Sequence, residues 1–231
     1  MEIDGCALPE DRLYDLDHDV WWAPIAGHAA ARIGLIGPLV AFAGRIQRVT
    51  FRPVDGPLAR HRSVATVESM RYTGPVRLPV DGTVVGRNAA LPERPRLLND
   101  APYSDGWIAE IRPLRAEDPD RLLLPADAIA GRLRERIRQE RIHCWPATPD
   151  LELYEIGREC SAILTNLNEE LARRTAGEAV LLVTDDPTSP IEMVRWSDET
   201  GHALLAHRKE EGIHQFLVRK ERDPHPRRRR G

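Results

Sequence analysis

Cysteine is the residue type in this chain best suited to covalent chemistry, and Cys160 has the most informative surroundings of the three present. The run Gly157-Arg158-Glu159-Cys160 separates a stretch that alternates like a strand from one that repeats like a helix. If the helix begins near Cys160, the sulfur sits beside unpaired backbone N–H groups and the positive end of the helix dipole, which favour thiolate over thiol. Thiolate is the species that attacks a persulfide or a disulfide. Arg158 adds to this bias and Glu159 opposes it, so the expected net effect is favourable and modest. The other fate open to Cys160 is that of a small buried hydrophobe. Cys144, between His143 and Trp145, is either a second thiol or half of a metal site. A lone Cys-His pair lacks the four-ligand spacing of zinc sites, so no metal is expected. Cys6, His202, His207 and His214 are expected to be packing residues. Three cysteines this far apart do not suggest a disulfide framework, which implies free thiols and a reducing compartment.

The elements around Cys160 follow from the periodicity. Leu151 to Ile156 alternates as a strand, and Cys160 to Arg174 puts Ile163, Leu164, Leu167 and Leu171 on one helical face. Glu178 to Thr184, EAVLLVT, reads as a buried strand, and Thr188 to Glu199 as a second helix. His202 to His207 and Ile213 to Arg219 read as strands joined by RKEEG, with Gly212 in the turn. The order βαβαββ predicts an α+β two-layer sandwich with both helices on one face of a four-stranded mixed sheet.

The first half has a different texture. VWWAPI, ARIGLIG, IQRVTFRPV, SVATVES, VRLPVDGTVVG and GWIAEIRP are short apolar stretches broken by turn signals, which predicts an all-β sandwich or barrel. From Asp118 to Arg141 the apolar residues fall at three-and-four spacing, predicting one amphipathic helix with Pro125 near its start. HCWPATPD, with two prolines in eight residues, reads as a linker. The expected organisation is therefore a domain over 1–142, a linker over 143–150, a domain over 151–222 and a disordered basic tail over 223–231.

Composition limits the partners. Hydrophobic residues make up 42% of the 231 and charged ones 30%, enough to bury a core and remain soluble. No apolar run approaches the length that crosses a bilayer, and the opening MEIDGCALPEDR lacks the regions of a signal peptide, so a cytoplasmic protein is expected. Setting aside the four arginines Arg227 to Arg230 from a net charge of −3 leaves −7 for the remainder. A folded part this acidic argues against a specific nucleic-acid partner.

The second domain resembles the TusA and SirA-like sulfur carriers. Gly157-Arg158-Glu159-Cys160 lies where that family has its Gly-x-x-Cys, Asp185-Asp186-Pro187 follows the second strand, and Phe216-Leu217-Val218-Arg219-Lys220 closes the sheet. The resemblance implies that Cys160 takes up a transient persulfide and passes sulfane sulfur between protein partners. Gly157, Arg158, Asp185, Asp186 and Glu192 then support the site, Glu192 standing near the family's aspartate on the second helix. The family's cysteine is followed by Pro-x-Pro, whereas this chain has Ser161-Ala162-Ile163, so the start of the helix is less rigidly fixed.

Residues 65 to 112 resemble the H protein of the glycine cleavage system and its lipoate-binding relatives. The matching pieces are Ala65-Thr66-Val67-Glu68-Ser69, Leu78-Pro79-Val80-Asp81-Gly82, Asn88-Ala89-Ala90-Leu91, Pro95-Arg96-Leu97 with Asn99, and Pro102-Tyr103-Ser104-Asp105-Gly106-Trp107. Upstream, His18-Asp19-Val20-Trp21 and Arg32-Ile33-Gly34-Leu35 fall at its opening strands. The resemblance implies a barrel-sandwich hybrid (lipoyl/biotinyl-like) followed by a C-terminal helix, covering about the first 140 residues. In that family a lysine on a tight hairpin carries lipoamide between enzymes. Here the position is Arg71, within Glu68-Ser69-Met70-Arg71. A guanidinium stays protonated and cannot attack an activated acyl group, and the chain's lysines, Lys209 and Lys220, lie far downstream. Lipoate is therefore not expected, and no other cofactor is.

Three functions follow as expectations. The first is a sulfur carrier working through Cys160, with a protein donor and acceptor and with lipoyl-handling or sulfur-oxidation enzymes as partners that the H-like domain docks. The second is a non-catalytic adaptor built from two carrier folds, in which Arg71 either docks a carboxylate or phosphate or is simply solvated. The third keeps a glycine-cleavage carrier role and requires lipoate to attach elsewhere.

Overall fold

The computed structural model describes residues 1–221, which divide between two compact units at Cys144 and Trp145. The basic run over 227–230 lies outside the described residues.

The first unit contains β1 (Glu2–Ile3), β2 (Cys6–Ala7), β3 (Leu13–Asp15), β4 (Val20–Pro24), β5 (Ala31–Leu35), α1 (Gly37–Ala43), β6 (Ile46–Phe51), β7 (Pro57–Leu58), β8 (Ser63–Ser69) and β9 (Thr73–Arg77). It continues with β10 (Gly82–Arg87), α2 (Leu97–Asp100), β11 (Ala109–Pro113), α3 (Asp118–Leu122), β12 (Leu124–Pro125) and α4 (Ala126–Gln139). Seven strands form a sheet in the order β12-β3-β4-β5-β11-β10-β7, and β6-β8-β9 form a second. Strand alternation sends Trp21, Ile33, Ile111, Val67 and Val76 into one shared core. Trp21 is only 1% exposed and donates its indole N–H to the Pro102 carbonyl at 3.0 Å. Its cross-strand neighbour is Gly34, where a Cβ would come within 2.6 Å of the indole. Glycine is there because the ring occupies the space a side chain would need.

The single helix expected over 118–141 is two helices with an extended break. Leu124 precedes a proline, which disfavours helical backbone at that position. It pairs instead with Tyr14, and Pro125 stands outside the start of α4 rather than within a continuous helix. Beyond the break Ile129, Leu133 and Ile137 are buried on one face, as their spacing predicts.

The cysteines differ more sharply from expectation. Cys6 and Cys144 form a disulfide, with Cα atoms 5.0 Å apart across 138 positions of sequence. The curling of the first unit brings its ends together, so sequence distance was the wrong measure. Two of the three cysteines are thus not free thiols and do not point to a reducing compartment.

The second unit contains β13 (Leu151–Glu155), α5 (Cys160–Ala172), β14 (Ala179–Thr184), α6 (Ser189–Thr200), β15 (Ala203–Glu210) and β16 (Ile213–Arg219). The sheet order is β13-β14-β16-β15, with β13 parallel to β14 and the other pairs antiparallel. This is the mixed sheet that βαβαββ predicts. Ile163, Leu167 and Leu171 of α5 and Met193 and Trp196 of α6 meet Val180, Leu182, Phe216 and Val218 in one core. On the opposite face Ala179, Leu181, Val183 and Leu217 pack with Trp145 and Ala147. Within the segment over 143–150, expected to be a linker, Cys144 ends the first unit in its disulfide, and Trp145 and Ala147 pack within the second.

The closing hairpin is longer than predicted, because its turn is only Glu211-Gly212. Both residues adopt left-handed φ, at 49° and 87°, the twist that two-residue hairpin turns require. His202 precedes β15 rather than lying on it, and its Nδ1 accepts the Glu221 N–H at 3.3 Å.

Candidate functional site

Cys160 is the first residue of α5, and Glu159, extended at φ −73° and ψ 148°, precedes the helix. The sulfur is half-buried, in no disulfide, and at a helix start, as the Gly-x-x-Cys spacing implies. The loop that delivers it turns at Gly157, whose φ of +71° suits glycine although no atom lies within 4 Å of a would-be Cβ. Conformation, not space, selects the residue there. The Gly157 N–H is donated to Asp185 Oδ1 at 2.8 Å, tying the loop after β13 to the loop after β14.

Arg158 does not serve the sulfur as expected. Its guanidinium donates to Glu155 Oε2 at 3.0 Å, and the Asn166 amide donates to the other oxygen of that buried carboxylate. A charge paired on Glu155 has little left to give a neighbouring thiolate. Asp186 bears on the sulfur more than its distance from Cys160 in the sequence suggests. Its carboxylate accepts the Thr188 N–H at 2.8 Å and the Thr188 hydroxyl at 2.7 Å, and it is stabilised further by the nearby backbone N–H of Cys160. Those bonds, Thr188 first, hold Asp186 below the usual carboxylate range.

The electrostatic expectation for Cys160 is overturned in sign. Burial pushes the thiol above its ordinary value, and the negative charges of Asp186 and Glu192 push it further, against a hydrogen bond from Thr188. The positive pole of α5 is met by a carboxylate before the sulfur can use it. The Asp-x-Thr turn that places this carboxylate is a local sequence signal, readable from residue types alone.

His207 and His214 are more than packing. They face each other across β15 and β16 at 2.9 Å between Nε2 and Nδ1, and His207 stacks on Phe216 with ring centres 4.4 Å apart. Burial and the Lys209 charge hold both imidazoles below the usual range.

Arg71 stands at the tip of the β8–β9 hairpin in the first unit. Ser69 Oγ accepts the N–H groups of Arg71 at 3.1 Å and Tyr72 at 3.0 Å, and donates to the Ala43 carbonyl at 2.7 Å. Glu68 lies 3.8 Å from Arg48 across the β6–β8 ladder. The hairpin presents its tip to solvent, with Met70 85% exposed and Arg71 exposed beside it. The display geometry for a modified side chain is present, and the amine is not. Among the described residues no cluster of three or more His, Cys, Asp or Glu is placed to hold a metal ion. Nor is any helix among them long and apolar enough to cross a membrane.

Comparison with known proteins agrees with this geometry. A family profile described as Glycine cleavage H-protein matches residues 12–136, and one described as Sulfurtransferase TusA matches residues 155–220. Glycine cleavage system H protein 5 of Aquifex aeolicus is 37% identical over 147 residues, covering 62% of this chain and 98% of that protein. Probable glycine cleavage system H protein 2 of Sulfolobus acidocaldarius is 35% identical over 141 residues, covering 61% and 94%. Among solved structures, a glycine cleavage system H protein from Mycobacterium marinum is similar at 27% identity and a TM-score of 0.47, covering 55% of this chain and 98% of that one. The chain therefore belongs to the glycine cleavage H-protein family through its first unit and carries a TusA domain as its second.

Proposed function

We propose that the protein is a sulfur carrier in which Cys160 receives sulfane sulfur from a donor protein and releases it to an acceptor, while the H-like unit serves as a docking module without lipoate. The placement of Cys160 as the first residue of α5, inside the TusA match, is the observation that carries this reading. In the loading step the Cys160 thiolate attacks the outer sulfur of a donor persulfide. A new S–S bond forms on Cys160, the donor's S–S bond breaks, and the donor leaves as a thiolate, with no net oxidation. In the unloading step an acceptor thiolate attacks the outer sulfur and Cys160 leaves.

A raised Cys160 pKa shapes both steps. At neutral pH little thiolate is present, but what forms is more nucleophilic, and as a leaving group it departs slowly. Such a carrier retains its cargo until an acceptor supplies a more favourable environment. The reading requires Cys160 to be reduced while Cys6 and Cys144 stay paired, and on it the protein is cytoplasmic.

The test is mass spectrometry after incubation with a cysteine desulfurase and cysteine, or with a thiosulfate sulfurtransferase and thiosulfate. One added sulfur on Cys160, absent in Cys160→Ala, is the expected result. No adduct, or one that survives the substitution, ends the proposal. A second reading, a non-catalytic adaptor, is favoured by the Ser161-Ala162-Ile163 run and by the suppressed thiolate. Under it Cys160→Ala retains every partner in a pull-down and complements the deletion phenotype fully.

A further inference from the structure

The first unit holds a second pair of histidines in contact, and its geometry differs from that of His207 and His214. A straight N–H···N bond separates two imidazole centres by the N···N distance plus about 2.3 Å, twice the distance from ring centre to nitrogen. His207 and His214, at 2.9 Å between nitrogens and 5.2 Å between centres, meet that condition. His18 Nε2 and His61 Nδ1 are 3.0 Å apart, yet their ring centres are only 4.7 Å apart. These rings are bent toward each other. Two nitrogens bound to one metal at about 2.0–2.1 Å, roughly at right angles, lie about 2.9 Å apart with ring centres about 4.5 Å apart. Both separations in the His18–His61 pair correspond to an angle of roughly 95° at such a point.

The surroundings are those of a ligand pair. The Asp15 side chain, 3% exposed, accepts the Nδ1–H of His18 at 2.9 Å, so His18 Nε2 is the acceptor for the Nδ1–H of His61 at 3.0 Å, a proton that a metal bound between them would displace. Carboxylate-to-histidine support of this kind accompanies most metal-bound imidazoles. Asp15 is itself held by the Asp17 N–H at 3.0 Å and by the Arg60 guanidinium at 3.3 Å. His61 adopts φ +72°, unusual for a residue with a side chain, and is fixed there by its N–H to the Leu78 carbonyl at 2.9 Å and by Arg77 donating to its own carbonyl at 2.8 Å. Strained backbone that the fold pins on both sides is a common mark of a binding position.

We propose that His18 and His61 form a two-nitrogen site for a divalent transition metal that favours right-angled ligands, of the Ni(II) and Cu(II) class rather than tetrahedral Zn(II). No third His, Cys, Asp or Glu completes the group among the described residues, so water fills the remaining positions.

Ni(II) is the probe, because Cu(II) would oxidise the Cys160 thiol. Calorimetric titration of the full chain is followed by NMR of the histidine ring protons. Binding that broadens the His18 and His61 signals is expected. His61→Gly, which suits the left-handed backbone and should fold, is expected to weaken that binding at least tenfold, and Asp15→Asn about 10–100-fold. His214→Gln should leave it unchanged. The site is disproved if wild-type protein does not bind Ni(II), if His61→Gly binds as tightly as wild type, or if the broadened rings are those of His207 and His214. An unchanged melting temperature for His61→Gly shows that any loss is not unfolding.

Discussion

The carboxylate of Asp186, held by the Thr188 N–H and hydroxyl, stands beside the backbone N–H of Cys160, so the donor end of α5 faces an anion before the sulfur ionises. Partial burial first, and then the charges of Asp186 and Glu192, push the Cys160 thiol above its ordinary value, against a hydrogen bond from Thr188.

Asp186→Asn removes one of the two charges that oppose ionisation while keeping the acceptor shape. The Cys160 pKa should fall, and the rate of alkylation by iodoacetamide at pH 7 should rise several-fold. An unchanged pH–rate curve would show that Asp186 does not govern the sulfur.

In the wild type, sulfur uptake should follow the thiolate. Because the pKa lies above the thiol's ordinary value, loading rates should still be climbing at a pH where a free thiol's rate has levelled off. The sign for stability runs in parallel: a raised folded-state pKa favours the fold while the thiol is protonated, and that contribution is lost as pH rises through the raised value. A loading rate that levels off near pH 7 would contradict both statements.

Arg71→Lys restores an amine at an exposed hairpin tip whose backbone is already fixed by Ser69. Co-expressed with a lipoate ligase, this variant should gain the mass of one lipoyl group, and the wild type should gain none. A lipoylated wild type would revive a glycine-cleavage role.

Cys6→Ser opens a crosslink spanning 138 positions. A loop of that size predicts a loss of about 2–5 kcal/mol, read as a lower urea midpoint of the first unit. Adding a reductant to the wild type should have the same effect, and none to the variant. Equal midpoints for all of these would show that the bond contributes nothing.

Gly34→Ala drives a methyl group to within 2.6 Å of the Trp21 indole. The ring is pinned by the Pro102 carbonyl, so a cost of about 1–3 kcal/mol is expected by chemical denaturation. A variant as stable as wild type would mean that the β4–β5 pair can shift.

The readable part of this protein lay where local pattern and tertiary demand coincide. AVLLVT is buried on both faces and Ile163, Leu167 and Leu171 share one helix side, so β14 and α5 follow from spacing alone. The break before Pro125 was also local, but it needed the strand partner Tyr14 to decide between a kinked helix and an extended turn. Cys6 and Cys144 carried no signal, because only the closure of the whole first unit makes them neighbours. Cys160 was placed correctly and its charge environment was not. Arg158 looked near in sequence and turned to Glu155, whereas Asp186, 26 positions away, arrived through the ladder between β13 and β14.

The bond between Cys6 and Cys144 also decides what a protease can do to this chain. A nick anywhere between those two positions cuts the backbone without releasing either fragment, since both remain joined through sulfur. Under non-reducing conditions such a clipped molecule migrates as intact, and the piece bearing Cys160 keeps hold of the amino-terminal segment it was synthesised with.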